Sequence, residues 1–250
     1  MDDNAWVVQT LAGACFVAAG IPLLRLASRS GQFPERVLGW TFLLMGISYG
    51  FYQLPLIFSG LAPLEDPFAI AGRLVYAASV VAVAFFTREV FRKDEVWARW
   101  LPWGCVVLIA SGVCISGFYG DLEGLAPLSN PGFWIEWAGE IIPCIWVGIE
   151  GLIQYRKSGR RMQFGLSDPT VTNRFLLWSL FGFMQVATLV VLVPMNIEYE
   201  MQGRYSATMD ALEGAFEMLT IAMIWLAFFP PALYRSWIAR AGQPGSAGAS

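Results

Sequence analysis

Seven apolar stretches, at about 5–26, 36–58, 68–91, 97–118, 133–155, 174–195 and 207–233, occupy nearly all of the chain and leave only short connections. Each holds about the twenty residues that a helix rising ~1.5 Å per residue needs to cross a hydrocarbon core of roughly 30 Å. Inside a bilayer every backbone N–H and C=O must find a partner within its own structure, and long unbroken runs meet that demand as helices. Charged residues make up only 14% of the chain, against about 25% in a soluble domain. The expected fold is therefore all-α: a polytopic membrane protein of seven transmembrane helices, one domain over 1–241 followed by a flexible tail at 242–250. The acidic start, Met1-Asp2-Asp3-Asn4, lacks the basic n-region of a signal peptide, so the first stretch is expected to stay as a span.

Charge sorting sets the expected orientation. Arg25, Arg29 and Arg36 follow the first stretch, and Arg88, Arg92, Lys93 and Arg99 follow the third. Arg156, Lys157, Arg160, Arg161 and Arg174 lie between the fifth and sixth, and Arg235 and Arg240 come last. Those fourteen of the sixteen basic residues fall on one side, which the positive-inside rule makes cytoplasmic. The opposite connections carry Glu65, Asp66, Asp121, Glu123, Glu198 and Glu200, with Arg204 alone among them. The amino terminus is expected outside, the carboxyl terminus inside, and the location is a bacterial inner membrane. Trp6, Trp97, Trp100, Trp103, Trp134, Trp137 and Trp237 stand near span ends, where indoles favour the headgroup level; Trp134 with Trp137 is also a candidate cage for a cation.

With no histidine, imidazole ligation of haem or zinc and histidine general-base chemistry are excluded. Cys15, Cys105, Cys114 and Cys144 sit inside apolar stretches and read as small buried side chains. No nucleophile and base stand out as a pair, and no cofactor or metal is expected. Nucleic acid is not an expected partner; the lipid bilayer is. The connection at 156–174, the longest on the basic side, reads as a lipid-facing topology determinant or a docking surface for a cytoplasmic or membrane protein.

Counting from the basic rim places several polar residues at one depth. Gln9, Tyr52, Gln53, Arg73, Glu140 and Glu217 each lie fifteen to eighteen residues from the basic residue closing their stretch, or roughly 22–27 Å at ~1.5 Å per residue. Charges at that depth are costly in lipid and are expected to face other helices, with Arg73 paired to Glu217 or Glu140. Glu136 with Glu140 and Glu213 with Glu217 are i,i+4 pairs, each sharing a helix face. The candidate ligand site is accordingly Arg73, Glu140, Glu217, Glu213, Tyr52, Gln53 and Gln9, an outward-facing acidic pocket for a cation, an amine or another small polar ligand. The alternative is a single neutralised pair in a packed bundle, with Glu136, Asp210 and Glu213 among headgroups.

Landmarks recur along the chain. Ala84-Phe85-Phe86 with Arg92 matches Ala227-Phe228-Phe229 with Arg235 at an offset of 143, and Arg36-Val-Leu38-Gly-Trp40 matches Arg174-Phe-Leu176-Leu-Trp178 at 138. Stretches one and five align around Cys15 and Cys144 at 129, giving a parallel three-plus-one-plus-three repeat.

The layout of seven spans with the amino terminus outside resembles the microbial rhodopsins, but the seventh-span lysine of that family is missing: Lys93 and Lys157 are the only lysines. Seven-helix ceramidase-like hydrolases need histidines that this chain lacks. The repeat, with Pro22, Pro55, Pro143 and Pro194 in spans one, two, five and six, is similar in arrangement to the SWEET-type sugar carriers. The run Gly165-Leu-Ser-Asp-Pro-Thr-Val-Thr-Asn-Arg-Phe-Leu-Leu-Trp178 resembles a group of uncharacterised bacterial seven-helix proteins, a resemblance that brings no activity with it. The expected function is a receptor-like or sensory membrane protein rather than an enzyme. A small-solute, ion or proton transporter and an accessory subunit of a larger membrane complex are the alternatives.

Overall fold

The computed structural model describes residues 5–121, 127–203 and 206–241, without the side chains of residues 5, 6, 8, 163, 207, 210 and 241. Glu123, Arg204, the tail 242–250 and the side chains of Trp6 and Asp210 lie outside the described residues. The helices are α1 Ala5–Ser30, α2 Phe33–Ile57, α3 Glu65–Phe91, α4 Val96–Phe118, α5 Pro131–Gln163, α6 Pro169–Gln202, α7 Ala207–Phe228 and α8 Ala232–Ala241, with a 3-10 segment Ser59–Leu64 before α3. Within α1, α2, α3, α4, α6 and α7 lie stretches long and apolar enough to cross a membrane, so the chain is a multi-pass helical membrane protein. The 33-residue α5 is long enough but carries Glu136, Glu140 and Glu150 in its interior.

The helix ends follow from local chemistry. Asn130 caps α5 through its side chain to the N–H of Gly132, and Asp168 caps α6 through the N–H of Thr170, each followed by proline, whose missing N–H costs nothing at the first helical position. The left-handed Gly203, at φ 67°, stops α6. Two boundaries differ from the sequence reading. Arg156, Lys157, Arg160 and Arg161 are not in a loop: α5 continues to Gln163, so these residues ride its last turns and only residues 164–168 connect it to α6. The seventh stretch does not run unbroken to 233. Phe229 donates to the carbonyl of Trp225 (2.7 Å), Pro230 and Pro231 supply no N–H, and the chain restarts as α8. Asn173 of α6 donates to the Tyr234 hydroxyl at 3.0 Å and ties α8 back to the bundle.

Neighbouring helices form a closed ring in the order α1, α2, α3, α5, α6, α7 and back to α1, while α4 packs outside it, mainly on α5. Phe16, Phe42, Phe86 and Phe181, with Leu23, Val83, Val147 and Ile224, fill the ring's core. Phe42 and Phe181 meet across it edge to face, 5.9 Å between centroids.

The α1–α2 and α5–α6 crossings are built alike. A Cβ added to Gly20 would stand 2.8 Å from the Leu43 nitrogen and 2.9 Å from the Gly39 carbonyl; one on Gly151 would stand 2.7 Å from the Ser179 nitrogen and 3.0 Å from the Phe175 carbonyl. One on Gly46 would meet the Gly13 carbonyl at 2.6 Å and the Val17 nitrogen at 2.9 Å, and one on Gly182 the Cys144 carbonyl at 2.7 Å and the Gly148 nitrogen at 2.6 Å. Close backbone approach through small residues is what holds helices together where lipid offers no hydrophobic drive. The correspondence runs at 131 residues from α1 to α5 and 136 from α2 to α6. The landmark offsets of 129 and 138 are thus each displaced by two residues from the register of the packing.

Candidate functional site

Arg73 lies on α3 near the acidic end of the ring. Its Nε donates to Glu136 Oε1 at 2.8 Å and Oε2 at 3.1 Å, and one Nη also donates to Glu136. The remaining donors reach the Asp121 carbonyl and the Ser116 hydroxyl, both at 3.3 Å. The expected partners Glu140 and Glu217 are therefore wrong, for two physical reasons. A long side chain leans toward the N-terminus of its own helix, and α3 starts at the acidic end, so the guanidinium rises one turn past Glu140 to Glu136. Glu217 stands on α7, which packs on α1 and α6 and not beside α3. Nor is Glu136 a headgroup residue: it is 5% exposed, pressed against Gly112 of α4.

With Arg73 committed, Glu140 is left one turn deeper on α5, buried and without a hydrogen-bond donor among the described residues. Arg73 and Glu136 remain within its electrostatic reach. Tyr52 of α2 lies within electrostatic reach of Glu140, Arg73 and Glu136. Tyr76 of α3 packs on the cluster of Val80, Ile141, Cys144 and Leu189 and lies within electrostatic reach of Glu140 and Glu213. Glu217 is 3% exposed, has no charged group in range and receives no hydrogen bond among the described residues. One turn below it Thr220 accepts from Gln185 Nε2 at 3.3 Å.

Of the seven sequence candidates, Tyr52, Arg73 and Glu140 fall in one neighbourhood of α2, α3 and α5, and Glu213 on α7 comes within electrostatic reach of Tyr76 at its edge, whereas Glu217, one turn further along α7, has none of these groups in electrostatic range. Gln9 and Gln53 do not join the acids. They bond each other on the α1–α2 seam, Gln53 Nε2 donating to Gln9 Oε1 at 2.5 Å. Glu136 and Tyr76 belong with the acids, and Tyr76 carried a usable signal in its i+3 spacing from Arg73. The N–H groups of Trp134 and Trp137 donate to the carbonyls of Leu128 and Leu189, both at 2.9 Å, and the two rings meet edge to face.

Toward the basic end the polar path narrows. Glu150 is paired with Arg92 (2.7 Å), and the level between it and Gln185 is occupied by Phe86, Phe181 and Trp178. Two concavities lie elsewhere on the bundle. One, about 610 Å³, is bounded by residues 165–170 and Ala239; the other, about 230 Å³, follows the α1–α2 seam. Among the described residues no three or more Cys, Asp or Glu side chains converge as a metal-ligand set, and the four cysteines are free thiols. The chain matches no protein family model, no curated protein and no solved structure.

Proposed function

We propose that this multi-pass membrane protein is a receptor-like binder of a small cation or amine, drawn to the buried carboxylates Glu140 and Glu217 toward the outer face of a bacterial inner membrane. In this reading α5 is the seventh span, the amino terminus is outside, and the basic ends of α5 and α6 face the cytoplasm and a protein partner. The observation that carries it is the mismatch of charges: Arg73 is committed to Glu136, so two buried carboxylates, Glu140 on α5 and Glu217 on α7, have no ion-pair partner among the described residues. A buried carboxylate without a partner is costly, and a bound cation relieves that cost. Binding without passage is supported by the packed Phe86, Phe181 and Trp178 below these acids.

A second reading is a carrier, supported by the like-built α1–α2 and α5–α6 crossings, since paired repeats rocking about a central site are a common basis of alternating access. Purified protein in lipid nanodiscs is titrated with a primary amine and a quaternary ammonium ion while thermal unfolding is followed. Saturable stabilisation that disappears in both Glu140→Gln and Glu217→Gln is expected; absence of stabilisation by any small cation defeats the proposal. Uptake of the same amine into proteoliposomes separates the carrier from the receptor. A stoichiometric partner that co-purifies with protein unresponsive to cations points to a complex subunit instead.

A further inference from the structure

The short helix α8 packs on α6 outside the ring, apart from the buried acids, and its sequence is two-sided. Successive residues of a helix turn by about 100°, so Tyr234 and Ile238 share one side, and Leu233, Trp237 and Arg240 share another. The first side is docked on the bundle: Tyr234 is bonded to Asn173 of α6, and Ile238 is 6% exposed. The second side is largely bare, with Leu233 84% and Trp237 63% exposed.

Two contacts fix how α8 is turned relative to the membrane. Ala239 borders the cleft whose other wall is residues 165–170. That connection follows the exposed last turns of α5, which carry Arg156, Lys157, Arg160 and Arg161, and so lies beyond the ends of the spans. Tyr234 instead reaches Asn173, one turn inside α6 from its start at Pro169. The Ala239 side of α8 therefore faces away from the hydrocarbon and the Tyr234 side toward it. Trp237 stands about 160° around the helix from Ala239 and about 60° from Tyr234, so its indole is on the membrane-ward side.

Level and charge agree with that direction. Only Phe229, Pro230 and Pro231 separate α8 from the end of α7, so it begins where a span leaves the hydrocarbon, the depth that indoles favour. Arg235 and Arg240 are its only charged residues, and both are exposed. A surface helix with Leu and Trp on one side and only positive charge is held by a negatively charged leaflet. Arg240 lies about 60° from Trp237, beside the membrane-ward side, whereas Arg235 lies about 160° from it, on the side of Ala239.

We propose that α8 binds the leaflet at the basic end of the bundle, seating Leu233 and Trp237 at the acyl boundary with Arg240 among the lipid phosphates, and so selects anionic over zwitterionic lipid. An acidic protein fits less well, because the apolar side of α8 is turned toward the hydrocarbon and not away from it. This contact is independent of the cation site.

The test uses full-length protein with the photoreactive p-benzoylphenylalanine in place of Trp237, in vesicles of equimolar phosphatidylcholine and phosphatidylglycerol at low salt. After irradiation the adducts are identified by mass spectrometry. Phosphatidylglycerol adducts are expected to exceed phosphatidylcholine adducts by about three-fold or more, falling to near parity with Arg240→Gln and changing less with Arg235→Gln. The same replacement at Ala239 is expected to give lipid adducts on the order of ten-fold fewer than at Trp237. The replaced side chains other than Ala239 are exposed, and an unchanged unfolding temperature verifies that each variant is folded. Equal yields of the two lipids at 237 overturn the selection of anionic lipid. As many lipid adducts at 239 as at 237 overturn the orientation of α8. Crosslinks from 237 to a second copy in the vesicles, or to another protein in whole membranes, in place of lipid overturn the proposal in favour of a protein-docking face.

Discussion

Arg73 of α3 grips Glu136 of α5 with Nε 2.8 Å from Oε1, and so withdraws the one basic side chain among the described residues that is within electrostatic reach of Glu140. The pair ties α3 to α5, and through Ser116 and the Asp121 carbonyl it also ties both to the end of α4. Its consequence is an asymmetry among the buried acids: Glu136 is ion-paired, while Glu140 and Glu217 have no ion-pair partner among the described residues.

Because the pair is nearly buried, removing one member strands the other. Glu136→Gln and Arg73→Met are each expected to lower stability by on the order of 3 kcal/mol, with the double variant losing clearly less than the sum. Unfolding in mixed micelles with increasing SDS measures this cycle; strict additivity would mean that the two side chains do not act as a pair.

Glu217 gives the opposite expectation. With no charged group in range and no donor among the described residues, it contributes burial without compensation. Glu217→Gln is expected to leave the unfolding temperature unchanged or raise it, while removing cation binding. A loss of stability comparable to that of Glu136→Gln would show that Glu217 serves the fold and not a ligand.

At the other end Arg92 and Glu150 form a lopsided pair. The Glu150 side chain is 4% exposed and that of Arg92 29%, with Glu95 also 3.6 Å from Arg92. Removing Arg92 leaves a buried carboxylate, whereas removing Glu150 leaves an arginine that can turn to solvent or to Glu95. Arg92→Gln is thus expected to destabilise more than Glu150→Gln, by about 1 kcal/mol or more. Thermal unfolding of the two variants side by side decides it, and equal losses would contradict the argument.

The paired glycine crossings predict paired penalties. Gly46→Val and Gly182→Val each force a side chain into the backbone of the facing helix, and each is expected to cost about 1–3 kcal/mol or more. Gly50→Ala, four residues from Gly46 but open to space, is expected to cost nothing. Similar values for Gly46 and Gly50 would remove the packing basis for likening the two crossings.

Much of the layout was legible from residue order. Apolar runs of spanning length, closed by Arg and Lys on alternate ends, mark where the helices lie, because a bilayer admits few other solutions. The same reading missed the extension of α5 through Arg156 to Gln163. Charges that look like loop composition are equally at home on helix turns beyond the hydrocarbon, and hydropathy does not distinguish the two.

The depth of the polar residues is a property of sequence alone, since ~1.5 Å of rise per residue converts a count into a height. Which of them meet is a property of the assembled bundle. Rotation of each helix about its axis and the ring order α1, α2, α3, α5, α6, α7 sent Gln9 and Gln53 to one seam and Glu140 to another. The lean of Arg73 toward the start of its helix gave it to Glu136. Height comes from a one-dimensional count; partnership needs azimuth and neighbour identity, which only packing supplies.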